Sequence, residues 1–119
     1  MFVLAALVAA TLSWKVPIAE NLTGTWAGSF NVPNPTEGTL EFNKDTAVLE
    51  IGNVVVETML YQTNADTLTL KKVSGRSNCG ETIGTYTYRV KDNLLVITAV
   101  EDKCDVRKYV FSEEGYKKQ

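Results

Sequence analysis

Residues 79–104 read CGETIGTYTYRVKDNLLVITAVEDKC, and the way this stretch pairs with itself decides the fold. Two runs rich in Thr, Tyr, Val and Ile, 82–90 and 93–101, flank Lys91-Asp92, which suits a tight turn. With that loop Val90 faces Asn93, Tyr88 meets Leu95 and Tyr86 meets Ile97, and paired residue numbers add to a constant. The same ladder, continued past the strand ends, sets Cys79 opposite Cys104, where bridging Cβ atoms must approach to ~4 Å. A longer loop moves the register by two and still leaves the cysteines near each other. A disulfide closing this loop contributes ~3 kcal/mol in the chain-entropy model and points to an oxidising compartment. Two free buried thiols are the alternative.

Working outward, no segment from Gly24 onward has a helical period. Short runs of strand-forming residues alternate with turn signals about every ten residues, as in a sandwich or barrel. Eight runs are expected: 24–32, 37–43, 46–51, 54–62, 67–73, 82–90, 93–101 and 105–112. Gly52-Asn53 is a good two-residue hairpin loop and pairs Ile51 with Val54, Leu49 with Val56 and Ala47 with Thr58. Glu50 and Glu57 then point away from the apolar face. Lys44-Asp45 pairs Asn43 with Thr46 and puts Phe42 opposite Ala47 on that same face. A slip of one residue would turn over every side chain, so the agreement between neighbouring hairpins carries weight.

The 119 residues allow one domain, and 45% hydrophobic with 22% charged residues is ordinary globular composition. A net charge of −2 offers no basic footprint for nucleic acid. Histidine is absent, which removes His-based acid–base work, His-ligated haem and most catalytic zinc sites. Residues 1–14 form an apolar stretch too short to span a bilayer as a helix and resembling the core of a signal peptide, although no Lys or Arg precedes it. A retained apolar anchor or a packed N-terminal helix are the other readings. Residues 15–22 form a lead-in, and 23–119 form the domain. Asn21-Leu22-Thr23 is a glycosylation sequon, placing Asn21 as a possible acceptor; Asn34-Pro35-Thr36 is disqualified by its proline.

The expected inward face carries Trp26, Phe30, Leu40, Phe42, Leu49, Ile51, Val54, Val56, Leu60, Leu68, Leu70, Tyr86, Tyr88, Leu95, Ile97, Tyr109 and Phe111. Eight sequential antiparallel strands most simply close into an up-and-down barrel, which removes exposed edges; an open sandwich would use the same strands. Such a barrel is wide enough to be filled by side chains or to hold one small ligand.

Leu22-Thr23-Gly24-Thr25-Trp26 resembles the Gly-x-Trp opening of the first strand in lipocalins and the wider calycin superfamily. Cys79-Gly80, Gly84-Thr85-Tyr86, Leu94 to Thr98 and Asp102-Lys103-Cys104-Asp105-Val106-Arg107 resemble the tail of small lipocalin-like domains. The middle of the chain matches by strand pattern alone. The resemblance implies an eight-stranded lipocalin-like barrel, with Gly24 and Trp26 structural and a last-strand cation over the tryptophan. Arg107 falls near the start of the last run, at the opposite rim, so Lys117 or Lys118 is better placed for that role.

Arg107 shares parity with Tyr109 and Phe111 and is expected inward near the mouth. A buried guanidinium needs a partner: Asp102, Asp105, loop carbonyls, or the acidic head of a ligand. The first functional expectation is a non-enzymatic, extracytoplasmic binder of a small apolar or amphipathic ligand. Its tentative contacts are Phe30, Phe42, Tyr86, Tyr88, Arg107, Tyr109 and Phe111, which serve equally well as plain core. An interior with no void above ~300 Å³ would exclude it. The second is a protein-interaction or self-assembly module using outer-face Val55, Met59, Ile83, Val96, Val100 and Val110. Its subclass is a protease-inhibitor-like barrel acting through the N-terminal segment. An enzyme is not expected: the serines lack a histidine to activate them, and Glu101, Asp102 and Asp105 read as a solvated turn. No cofactor or metal is expected, and no integral membrane span.

Overall fold

The computed structural model describes residues 21–119; the apolar segment 1–14 and lead-in residues 15–20 lie outside the described residues. Eight antiparallel strands close into a barrel in chain order: β1 (Gly24–Asn31), β2 (Pro35–Phe42), β3 (Thr46–Ile51), β4 (Val54–Asn64), β5 (Thr67–Gly75), β6 (Ile83–Lys91), β7 (Leu94–Glu101) and β8 (Tyr116–Lys118). A four-residue helix, α1 (Asp105–Lys108), sits between β7 and β8. The expected all-β barrel and the Cys79–Cys104 disulfide are both present. No described helix is long and apolar enough to cross a membrane.

The barrel has two unlike ends. At the floor lie the short turns 43–45, 65–66 and 92–93, the start of β1 and the end of β8. Trp26 is buried there, its indole N–H donating to the Leu22 carbonyl at 2.9 Å. Lys118 pairs across from Trp26, holds its Nζ 5.0 Å from the ring centroid and donates to the Thr23 carbonyl at 3.1 Å. The lysine is therefore the covering cation that topology favours over Arg107. Above this plug the interior is filled by Phe30 stacked on Tyr116 at 4.5 Å, Phe42 edge-on to Tyr61, and Tyr86 edge-on to Phe111. Burial pushes the Tyr116 hydroxyl up to about 12, against a lowering by the Ser112 N–H that donates to it. That hydroxyl in turn donates to the Ser29 carbonyl at 2.8 Å.

The β2–β3 register is as expected, with Phe42 opposite Ala47 and Leu40 opposite Leu49. Gly52 opens the β3–β4 turn at φ 67°, and Ile51 pairs with Val54. One step further the ladder departs from simple alternation. Val56 is an extra residue, so Leu49 faces Glu57 and Ala47 faces Met59. A β-bulge of this kind reverses the parity of everything after it. Glu57 and Met59, expected outward, are buried, and Leu60, expected inward, is 45% exposed; Val54, also expected inward, lies before the bulge beside the β3–β4 turn and is 48% exposed. Two further register shifts leave Val73 and Val100 as the extra residues of β5 and β7.

In the β6–β7 hairpin the loop is Asp92-Asn93, both at positive φ, rather than Lys91-Asp92. Two such residues make the turn whose twist matches the flanking strands, and Asp and Asn accept that conformation most readily after glycine. Val90 consequently pairs with Leu95 and Tyr88 with Ile97. The disulfide lies beyond the ladder, with Cα atoms 5.2 Å apart.

The expected last strand, 105–112, is a correction. Residues 105–108 are helical, and β8 is the short Tyr116–Lys118. Arg107 grips Asp102 five residues earlier; an extended chain would separate the two by ~17 Å, and only a turn brings them together. Turn hydrogen bonds run from the Lys108 N–H to the Cys104 carbonyl and from the Tyr109 N–H to the Asp105 carbonyl. Tyr109, expected inward, is 64% exposed, and Val110, expected on the outer wall, is buried.

Candidate ligand-binding mouth

The end opposite Trp26 is open. A cavity of about 750 Å³ lies between the β1–β2 loop, the inner faces of β3 and β4, loop residues 76–78 and α1 with the residues after it. Its apolar wall includes Val32, Leu49, Ile51, Val56, Met59 and Val110. Polar groups enter from Glu57, Ser77, Asn78 and Arg107, with Arg76 and Asp105 exposed at the rim.

The bulge at Val56 is what makes this wall. It lets two successive residues, Val56 and Glu57, both reach the cavity, and it turns Met59 inward behind them. Glu57 then clasps the facing loop. One carboxylate oxygen accepts the Ser77 N–H at 3.1 Å, and the other accepts the Ser77 hydroxyl. Lys72 donates to the Ser77 carbonyl, and the Arg76 N–H donates to the Val56 carbonyl at 3.0 Å. Loop 76–78 is thereby fixed to β4 by polar contacts.

The opposite wall is fixed by Asp102 and Arg107, whose side chains are 0% and 4% exposed. Arg107 Nε donates to Asp102 Oδ2 at 2.6 Å and Nη2 to Oδ1 at 2.8 Å, the paired geometry that a planar guanidinium offers a carboxylate. Nη2 also donates to the Thr82 carbonyl at 2.8 Å. Asp102 further accepts from the Tyr86 hydroxyl and from the Cys104 N–H at 2.9 Å. Gly84 makes room for this carboxylate, since a Cβ there would overlap it. Burial alone would raise the Asp102 pKa, but the hydrogen bonds from Arg107, Tyr86 and Cys104 outweigh it and hold the carboxyl below its ordinary value. Burial and the Asp102 carboxylate push the Tyr86 hydroxyl far up. The Asp102 bonds hold Arg107 cationic against burial.

The disulfide joins these two walls, since Cys79 directly follows lining residue Asn78 and Cys104 immediately precedes α1. On the third side Asn31 is tied to the segment after α1, its N–H donating to the Val110 carbonyl at 2.9 Å and its Nδ2 to the Tyr109 carbonyl at 3.0 Å.

Of the residues singled out from sequence, Arg107 and Tyr109 line the cavity. Phe30, Phe42, Tyr86 and Tyr88 are buried in the core beneath it, and Phe111 is half-buried against that core. Asp102, read with Glu101 and Asp105 as a solvated turn, is instead buried as the partner of Arg107, one of the alternatives named for it, while Glu101 and Asp105 are exposed. On the outer wall Val55, Ile83 and Val100 are more than half exposed, Val96 is half-buried and Met59 belongs to the interior. Asn21 is exposed, its side-chain oxygen accepting the Thr23 N–H at 2.9 Å. Sequence reasoning missed Glu57, Ser77 and Met59. The one available signal was a lone carboxylate within a valine-rich run. No family model, curated protein or solved structure matches the chain.

Proposed function

We propose that this protein is an extracytoplasmic, non-enzymatic binder of one small amphipathic molecule, held in the mouth of a lipocalin-like barrel. The observation that carries the reading is the mouth cavity, whose 750 Å³ falls within the ~300–1,000 Å³ usual for small-molecule pockets. Its wall is mostly aliphatic with a few convergent polar groups, the composition that such pockets share. The lipocalin-like part of the reading is supported by chain-order closure, by Gly24 and Trp26 at the start of the first strand, and by Lys118 over the indole. The disulfide supports an oxidising compartment.

The test is titration with the neutral apolar fluorophore N-phenyl-1-naphthylamine, together with native mass spectrometry of material from its natural source. Saturable one-to-one dye binding, weakened in Val56→Trp because the indole takes up part of the cavity beside Leu49 and Met59, is the expected result. Absence of saturable binding to the folded wild-type protein rejects the reading.

A second reading, self-association through the outer wall, draws on Val55, Val73, Ile83 and Val100. These exposed side chains sit on the mouth-side ends of four consecutive strands. Contiguous apolar surface of this kind marks association sites. Sedimentation velocity decides it: a monomer at high protein concentration removes it.

A further inference from the structure

We infer that the lip of the mouth is a docking surface for a zwitterionic phospholipid bilayer. It seats the barrel mouth-down, so that an amphipathic molecule passes between membrane and cavity without crossing water. That passage rests on the binding reading of the cavity; the docking itself does not.

The short helix α1 and the residues after it have two unlike sides. Arg107 and Val110, three residues apart, face inward and are buried. Val106 and Tyr109, also three apart, share the outward side and are 55% and 64% exposed. On the β1–β2 loop Val32 is 38% exposed. These two lips are tied together by Asn31, whose N–H and Nδ2 donate to the Val110 and Tyr109 carbonyls. The Tyr109 N–H donates in turn to the Asp105 carbonyl, so the tyrosine projects into solvent from a fixed backbone. Val32, Val106 and Tyr109 all line the cavity and border its opening. A tyrosine with an apolar body and a hydroxyl tip, beside short aliphatic side chains, suits the boundary between water and lipid.

The rest of the surface has the same polarity. Among the described residues every exposed large apolar side chain except Leu60 lies in the mouth half. The floor turns expose Lys44, Asp45, Asp66 and Asp92 instead. The barrel is therefore amphipathic along its axis, and concentrated apolar surface at one end marks an interaction site. Charge selects the kind of surface. Segments 76–82 and 101–109 expose Arg76, Lys103 and Lys108 against Glu81, Glu101 and Asp105, and buried Arg107 is matched by Asp102. Residues 32–36 and 52–53, which complete the rim, carry no charge. Such a balanced lip suits head groups that present both signs and gives no preference for an anionic membrane. Lys108 holds its Nζ 5.5 Å from the Tyr109 ring centroid, which places an ammonium at phosphate level when the ring meets the bilayer. A protein seated on this tip would close the opening; a bilayer is itself a reservoir of amphipathic molecules.

The experiment is flotation of the full chain, without dye, on phosphatidylcholine vesicles. The wild type is expected to float, and the double variant Val106→Ser with Tyr109→Ser, folded by circular dichroism, to partition about ten-fold more weakly. Leu60→Ser, which removes an exposed apolar side chain away from the lip, should partition like the wild type. Tyr109→Trp should add emission that brominated phosphatidylcholine quenches. Replacing part of the phosphatidylcholine by phosphatidylglycerol should change partitioning by less than about two-fold, because the exposed charges of the lip cancel. A wild type that stays in solution overturns the inference, and so does a steep rise with phosphatidylglycerol. Flotation unaltered by the double variant, with no quenching in Tyr109→Trp, assigns the contact to another surface, the N-terminal apolar stretch included, and overturns it as well. A dimer in sedimentation velocity that the double variant dissolves, in place of flotation, gives the lip to a second copy and has the same consequence. A wild type that floats as expected yet takes up no dye keeps the docking surface and overturns the binding reading alone.

Discussion

The floor and the mouth of this barrel are built from the same eight strands and held by different physics. The floor is dry: Trp26, Leu22 and Phe42 are buried, the connecting turns are short, and one exposed lysine covers the indole. Among the described residues the mouth carries every buried charged side chain, Glu57, Asp102 and Arg107, together with the disulfide, α1 and the cavity. All three ladder irregularities, at Val56, Val73 and Val100, also fall in the mouth half. Apolar side chains close an end by filling it. An end that must stay open cannot use them for that purpose, and directional contacts take over: a paired guanidinium, a clasping carboxylate and a covalent bond. The contrast teaches that a stable rim and an unfilled interior are compatible where the stabilisation is polar.

The contrast is sharpest for side-chain truncation. Trp26→Ala leaves a hole in close-packed surroundings and is expected to cost ~3–5 kcal/mol. Leu49→Ala removes a buried leucine that already borders the cavity, so it enlarges an existing space and loses mainly the transfer part, about 2 kcal/mol at the low end of the usual range. Guanidinium unfolding at equilibrium measures both. Equal losses would mean that the mouth is packed as tightly as the floor.

At the mouth the comparable loss should come from a polar residue. Asp102→Asn leaves Arg107 buried without its counter-charge and is expected to cost ~3–5 kcal/mol. The same pair has an acid signature. Because the folded Asp102 pKa lies below its unfolded value, its contribution is present in full above the ordinary carboxylate range. It drains as pH falls through that range and on through the folded value. Stability measured from pH 6 down to pH 2 should therefore fall more steeply in the wild type than in Asp102→Asn. Parallel curves would show that the pair holds nothing.

How much of this could be read from sequence follows the same division. The floor was legible because its information is local and periodic. Trp26 at the head of the first strand, the Phe42–Ala47 register and a C-terminal lysine over the indole all follow from alternation and up-and-down closure. The mouth was legible only in outline. The disulfide emerged from a ladder whose true loop is one residue later, and it survived because such a shift leaves the cysteines near one another. Glu57 and Met59 were misplaced because a bulge costs one residue and leaves no compositional mark, yet inverts every side chain after it. Tyr109 and the last strand were misplaced for another reason. Val106, Tyr109, Val110 and Phe111 are strand-forming residue types, but the Asp102–Arg107 pair bends the backbone into a helical turn, a tertiary override of a weak local preference.

Replacing both cysteines, Cys79→Ser with Cys104→Ser, tests whether the walls of the mouth depend on their covalent link. The expected loss is about 3 kcal/mol for a loop of this length. Its distribution matters more than its size. Amide hydrogen exchange should speed up in 76–78 and 105–110 while the Tyr88 amide, which donates to the carbonyl of floor-turn residue Asp66, keeps its protection. Uniform acceleration would mean that the disulfide acts on the unfolded chain alone and that the two ends are not separately held.

The smallest effect belongs to the exposed charge that covers the floor. Lys118→Met keeps a long flexible side chain over Trp26 and removes the cation and its bond to the Thr23 carbonyl. Lys118 is exposed, so water competes for its ammonium and the ring contact is worth ~0.5–1 kcal/mol. The expected loss is of that size, shrinks with added salt, and leaves dye affinity at the mouth unchanged. A loss approaching that of Asp102→Asn would mean that the floor, too, is held by charge, and the division between the two ends would fail where it is simplest to test.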